Sequence, residues 1–201
     1  MIHIIKKNIQ LKNKNFLKSP LGNIQLFFID KTFILPSEIQ LSKKNQKIFF
    51  KTSLGLLSLN FTNNLYFFIK KNKLLININT FTNKKSILNL YNKLIKIKTK
   101  GVLQGFKISL LLKGIGFKAF IENNNLILKL GFSHNIIIAI PSNIEIINQT
   151  NLLIFNSIDY IYLSQFVHFI KNHKKPEPYK GKGLLLKNEK ILKKEGKKSK
   201  K

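Results

Sequence analysis

Between residues 32 and 79 the apolar positions come in short runs: Thr32–Leu35, Ile39–Leu41, Lys47–Lys51, Leu56–Phe61, Leu65–Ile69 and Leu74–Ile78. Clusters of Asn, Lys and Gly separate them at spacings of about 8 to 10 residues, the signature of a compact antiparallel sheet. Ile24–Ile29 is a further β-rich run, and Pro36-Ser37 breaks the pattern after Leu35. From Lys84 to Lys98 the period lengthens. Ile87, Leu88, Tyr91, Leu94 and Ile95 fall at i, i+1, i+4, i+7 and i+8, which gathers them on one helical face opposite lysines. Thr82 or Asn83 is the expected N-cap.

Thr99-Lys100-Gly101 is expected to be the joint between two halves. Short runs then resume at Phe106–Leu112, Phe117–Ile121, Leu126–Leu130, Ile136–Ile140, Ile144–Ile147 and Leu152–Phe155. Asn123-Asn124-Asn125 is a turn that tolerates positive φ. A second helix is expected over Ile158–Asn172, with Ser157 as N-cap and an apolar stripe of Ile158, Ile161, Tyr162, Phe166 and Phe169 interrupted only by Gln165. Each half is thus a set of strands closed by a helix, and Leu35–Leu41 echoes Ile140–Ile146. The fold class is α+β: two similar small domains in tandem, each a mostly antiparallel sheet packed by one helix, with basic extensions at both ends. The expected divisions are a basic N-terminal extension over 1–32, a first domain over 33–99, a second over 100–175 and a basic C-terminal tail over 176–201. Residues 1–29 carry lysines but no acid and no arginine; we expect an uncleaved extension there rather than a transit peptide.

Charge narrows the partners. The 201 residues carry 36 basic side chains against 8 acids, a formal net charge of +28 with a pI near 10.3. Such a chain repels itself and calls for a polyanion: RNA, DNA or an anionic membrane surface. Every basic side chain is lysine, and Lys, Asn, Ile, Phe and Leu abound while tryptophan is absent. These are residues of A/T-rich codons, so the preference for lysine over the better bidentate phosphate ligand arginine points to nucleotide bias, as in an organellar genome. The absence of cysteine removes disulfides, thiolate metal sites and cysteine nucleophiles. Apolar runs such as Ile136–Pro141 fall far below the roughly 18 residues of a membrane span.

Catalytic chemistry finds little to work with. Asp30, Glu38, Glu122, Glu145, Asp159, Glu177, Glu189 and Glu195 form no close pair for acid–base work within a strand or helix. His168 and His173 are five residues apart, off the i, i+4 spacing of a helical metal pair, and His3 and His134 are isolated. Gly114-Ile115-Gly116 lacks a third glycine and a following helix, so a strand kink or bulge is expected there. No catalytic residue, metal site, cofactor or small-molecule substrate is expected. The phenylalanines mostly alternate as core residues, and no stacking platform for single-stranded bases is evident.

The most distinctive stretch is Lys174-Lys175-Pro176-Glu177-Pro178-Tyr179-Lys180-Gly181-Lys182-Gly183. Its prolines forbid a helix, its glycines allow close approach, Tyr179 offers a flat face and its lysines offer charge. A solvated linker and a nucleic-acid contact both fit that composition. Ser133-His134 likewise fits either a turn between strands or a polar contact to RNA. Lys187–Lys201 is lysine-rich and, as a free segment, is expected to be solvated.

The 174–183 stretch resembles the C-terminal signature of large-subunit ribosomal protein six, the universal two-domain rRNA-binding family. Gly101-Val102 with Gly105-Phe106, then Lys113–Ala119, resemble the opening of that family's second domain. Leu130-Gly131-Phe132-Ser133-His134 resembles its next signature, with Ile140-Pro141 following in order. The likeness is clear over about residues 101–183, weaker over Phe33–Lys98 and absent before Phe33. It implies two similar α/β domains, a non-enzymatic structural role, and large-subunit rRNA and neighbouring ribosomal proteins as partners near the factor-binding region and sarcin–ricin loop. It implies RNA binding by Lys174, Lys175, Pro176, Pro178, Tyr179, Lys180, Gly181, Lys182 and Gly183, with Ser133 and His134 beside them. With the codon bias, the expected address is a mitochondrial large subunit, the alternatives being a plastid or an A/T-rich bacterium. The rival reading from charge alone is a basic DNA- or membrane-surface-binding protein.

Overall fold

Period-two alternation places one apolar row of each run against a core, and the short runs become strands. In this computed structural model, residues 31–62, 65–71, 73–78 and 84–196 are described. The expected strand at Ile24–Ile29, the extension up to residue 30, the N-cap at Thr82 or Asn83 and the tail beyond 196 lie outside them. The elements are β1 (Lys31–Ile34), β2 (Gln40–Lys44), β3 (Lys47–Lys51), β4 (Leu56–Asn60), β5 (Leu65–Lys70), β6 (Lys73–Ile78), α1 (Lys84–Gln104), β7 (Phe106–Lys113), β8 (Lys118–Glu122), β9 (Asn125–Lys129), β10 (Ile136–Ala139), β11 (Glu145–Gln149), β12 (Leu152–Ser157), α2 (Tyr160–His173) and β13 (Gly183–Leu186). The class is α+β, as the patterning predicts.

The described residues fall into two compact units, divided after Phe50, Leu57 and Ile95, so that 51–57 belong with the second. In the first unit an antiparallel sheet runs in the order β1-β6-β5, and a second sheet runs β2-β3-β4. Asn45, at φ +52°, makes the turn between β2 and β3, a conformation that asparagine tolerates. The rings of Phe61, Phe67 and Tyr91 meet edge to face, which seats α1 in this core.

In the second unit the order is β11-β12-β7-β13, with a separate sheet β10-β9-β8. Leu110, Leu126, Leu128, Leu130, Leu153 and Phe155 are fully buried with α2 residues Leu163, Val167 and Ile170. Asn123 and Asn124 adopt φ +46° and +61° in the β8–β9 turn, as expected of that asparagine run.

Three local expectations are corrected. Thr99-Lys100-Gly101 is helix, and α1 ends only at Gly105, whose φ is +68° and whose N–H donates to the Gly101 carbonyl at 2.9 Å. Lys98 and Val102 extend the buried face of Tyr91 and Ile95. Lys98 is tolerated there because its ammonium donates to Asp159 at 2.7 Å. Gly101 serves packing: a Cβ would come within 2.2 Å of the Ile158 carbonyl oxygen.

The N-cap of α2 is Asp159, not Ser157. Its Oδ1 accepts from the Ile161 N–H at 3.1 Å, satisfying a first-turn donor and favoured by the helix dipole. Ser157 instead accepts from the Asp159 N–H and donates to the Asn143 carbonyl. Finally, α2 buries Leu163, Val167 and Ile170, whereas Ile161, Tyr162 and Phe169 are exposed. The helix is apolar on both sides, so its own periodicity cannot tell which side meets the sheet. Leu163→Ala is therefore expected to lower stability by about 2 to 5 kcal/mol, and Phe169→Ala by no more than about 0.5 kcal/mol. Chemical denaturation of the two variants checks this; comparable losses would refute the assigned face.

Candidate nucleic-acid interface

α2 stops where the prolines begin. Lys174 is its C-cap, with its N–H on the Lys171 carbonyl at 3.3 Å. Pro176 and Pro178 lack a donor and cannot continue the ladder. The next residues fold into a tight loop. The Gly181 N–H donates to the Glu177 carbonyl at 2.9 Å, and the Glu177 N–H donates to the Lys182 carbonyl at 2.8 Å. Gly181 supplies φ +69° for this reversal. Tyr179 sits at the tip, exposed with Pro178 and Lys180; Lys175 is exposed, and Lys174, Pro176 and Lys182 are half-buried. The stretch is thus a closed loop rather than an open linker.

Gly183 has an intramolecular role. A Cβ there would lie 2.6 Å from Pro176 Cα and 2.8 Å from the Lys175 carbonyl oxygen. The close approach is to the loop's own first limb. The Leu184 N–H then donates to the Lys174 carbonyl at 2.9 Å, and β13 pairs antiparallel with β7, Leu184 opposite Leu112. Leu184 and Leu185 are buried.

The described part of the segment from Lys187 onward is mostly exposed, as expected of a solvated stretch, but it is not free. The Lys187 N–H donates to the Ser109 carbonyl, and the Lys194 N–H returns to the Pro178 carbonyl at 3.0 Å. Glu189 accepts from Lys171 at 2.6 Å and from the Leu186 N–H at 3.1 Å. The hydrogen bond from the Lys171 ammonium holds the Glu189 carboxyl below its ordinary value of 4.5.

The second predicted segment arrives from the other sheet. Leu130–Asn135 connects β9 to β10, with Gly131 at φ +74° and Ser133 and His134 exposed. Phe132 is the link. The Lys174 ammonium lies 4.4 Å above its ring centroid, and the His134 ring stacks on it at 6.2 Å and 22°. The fold therefore brings the Lys174–Gly183 loop and the Ser133-His134 loop together.

A shallow cavity of about 460 Å³ lies between them, lined by Phe117, Leu130, Gly131, Lys174, Lys175, Glu177 and Lys182. Three lysines against one glutamate make it cationic, suited to an anionic ligand. Phe117 forms part of its wall. Gly114–Phe117 is a reverse turn rather than a kink or bulge, with the Phe117 N–H on the Gly114 carbonyl at 3.4 Å. A Cβ on Gly114 would strike the Phe117 ring at 2.8 Å. Phe117 and Phe132 are the residues that sequence reasoning missed. Their signal was an aromatic following a glycine turn, which alternation alone assigns to the core. Among the described residues no three of His, Asp and Glu lie together in a group that could hold a metal ion.

The family model for Ribosomal protein L6 matches residues 113–185, a range that contains both loops. Large ribosomal subunit protein uL6 of Karelsulcia muelleri (strain GWSS) is 34% identical over 188 residues, 90% of this chain and 100% of that protein. Large ribosomal subunit protein uL6c of Thalassiosira pseudonana is 42% identical over 118 residues, 58% of this chain and 63% of that one. Its counterpart in Phaeodactylum tricornutum (strain CCAP 1055/1) is 41% identical over 118 residues, 58% and 66% of the two chains. The matched region thus spans less than two thirds of each diatom protein.

The lowered carboxyl of Glu189 gives a pH signature. Because its folded value is depressed, its contribution to stability is complete above 4.5 and is lost as pH falls through the folded value. Denaturant midpoints are expected to decline from neutral pH to about pH 3 less steeply in Glu189→Gln than in the parent chain. Parallel declines would remove Glu189 from the folded state's proton balance.

Proposed function

The chain belongs to the ribosomal protein L6 family, and on that premise we propose that it is a structural constituent of a large ribosomal subunit that binds folded rRNA. Members of the family are structural components of the ribosome, not enzymes. The observation that carries the reading is the convergence of the two signature loops on one cationic face, joined by Lys174 over Phe132.

Each residue has a role that its geometry allows. Lys174, Lys175, Lys180 and Lys182 neutralise phosphates. Tyr179, 53% exposed at the loop tip, stacks or packs on sugar. Pro176 and Pro178 set the path, Gly181 turns it, and Gly183 lets it close on itself. Ser133 and His134 offer polar atoms from the adjoining loop. The mode is phosphate neutralisation and shape recognition of folded RNA. The address that goes with family membership is the factor-binding side of the subunit, beside the sarcin–ricin loop and among other ribosomal proteins.

The organelle is the finer question. The lysine-only composition supports an A/T-biased organellar genome, and the two diatom relatives are plastid proteins. These two relatives favour a plastid-type large subunit over the mitochondrial one expected from the codon bias and the family resemblance. Proteomic analysis of purified organellar ribosomes decides between them. A DNA- or membrane-surface protein is the rival. Among the described residues no helix is long and apolar enough to cross a membrane.

Three measurements test the assignment. The protein is expected to co-sediment with the large subunit at raised salt, whereas the rival reading has it released or bound equally to duplex DNA or anionic vesicles. Binding to isolated rRNA should weaken by about 10³- to 10⁵-fold between roughly 50 and 200 mM salt if about 6 to 10 lysines contact phosphate. Lys180→Glu with Lys182→Glu should leave thermal stability intact, weaken rRNA binding at least about tenfold and lower the salt slope by about 2. Unchanged binding would remove the loop from the interface.

A further inference from the structure

A sheet that faces the core on one side and water on the other normally alternates apolar and polar residues. The sheet β10-β9-β8 does not. Its inner face contributes Ala119, Leu126, Leu128 and Ile138 to the core. On its outer face Phe120 stands opposite Ile127, and Ile127 opposite Ile137, so one apolar row crosses all three strands. Phe120 is 38% and Ile137 64% exposed, with Ile127 half-buried between them. Two residues along, Lys118 stands opposite Lys129, both exposed, and the Lys129 ammonium lies 5.6 Å from the Phe120 ring centroid. On the other side the row is bordered by Glu122 and Asn125.

The face therefore has an apolar stripe with one cationic edge. A second copy of this chain is a poor occupant, because it would bring another +28 against the first. RNA is poor for the stripe, since its accessible surface is phosphate and sugar and leaves Phe120 and Ile137 unmatched. What complements both features is a protein surface whose apolar ridge is bordered by Asp or Glu. We propose that the outer face of β10-β9-β8 docks a neighbouring protein of the large subunit through such a ridge, with its carboxylates against Lys118 and Lys129. The proposal rests on the ribosomal reading and adds the surface and the chemistry of the partner.

The chain has no cysteine, so Ile137→Cys introduces a unique thiol. Ile137 is exposed, and a smaller side chain there leaves the core intact. The full-length variant is assembled into large subunits and, separately, bound to protein-free rRNA, and its reaction with a small maleimide is timed. Reaction is expected to slow about tenfold or more in the subunit, because docking removes the thiol from the reagent, and to keep its free rate on rRNA alone. A thiol that stays reactive in the subunit, or is already protected on bare rRNA, overturns the proposal. Zero-length carbodiimide coupling in the subunit is expected to join Lys118 or Lys129 to a protein carboxylate. Its absence overturns the assigned charge complementarity. Failure of the parent chain to sediment with the large subunit at all is a separate outcome that would defeat the ribosomal reading itself.

Discussion

Four residues near the C-terminus, Gly183–Leu186, decide what the rest of the second unit presents to solvent. Their pairing with β7 returns the chain to the sheet immediately after the proline-bearing loop. Without that return, Lys174–Lys182 would be one limb of an open tail, and its lysines would sample many positions at an entropic cost on binding. With it, the Leu184 N–H and the Lys174 carbonyl close the base, the Glu177, Gly181 and Lys182 backbones close the tip, and the charges project from a fixed frame. Gly183 is the geometric condition, because any side chain would enter the Pro176 backbone. Preorganisation of this kind suits the binding of a rigid folded polyanion.

The scarce acids are spent on the same frame. Asp159 holds the start of α2, capping its first turn and neutralising the buried Lys98. Glu189 holds the other end by pairing with Lys171 while accepting from the Leu186 N–H just beyond β13. Two of the chain's eight carboxylates thus fix the ends of the helix from which the loop departs. In a chain with 36 lysines such internal neutralisation has a large local effect and leaves the overall charge almost untouched. The surplus is unfavourable for the isolated fold and favourable for assembly on RNA, where condensed counterions are released.

Within one domain, then, two faces differ in character. The loops at the ends of α2 and β9 converge on a cationic surface with three exposed or wall-forming aromatics, Phe117, Phe132 and Tyr179, while the outer face of β10-β9-β8 carries an apolar row with a lysine edge. The first suits phosphate and sugar, the second suits protein. Both depend on alternation along strands whose inner residues share a single core.

Much of this was legible from local order in the chain. Period-two runs marked most strands to within a residue or two, though Ile39–Leu41 fell three short of the end of β2 and nothing marked β13; the asparagine run at 123–125 marked a positive-φ turn, and the proline–glycine stretch marked the end of α2 and the loop that follows. These succeed because strand alternation and turn chemistry are properties of neighbouring residues. Tertiary structure alone decided the buried face of α2, the length of α1 past Gly101, the pairing of Gly183–Leu186 with β7 and the meeting of Phe132 with Lys174. Each depends on a partner far away in sequence: a sheet that selects one of two apolar stripes, an aspartate that admits a buried lysine, a strand that recruits three leucines from a lysine-rich tail. Burial is settled by which surfaces meet, and periodicity within one element carries no information about the surface it will meet.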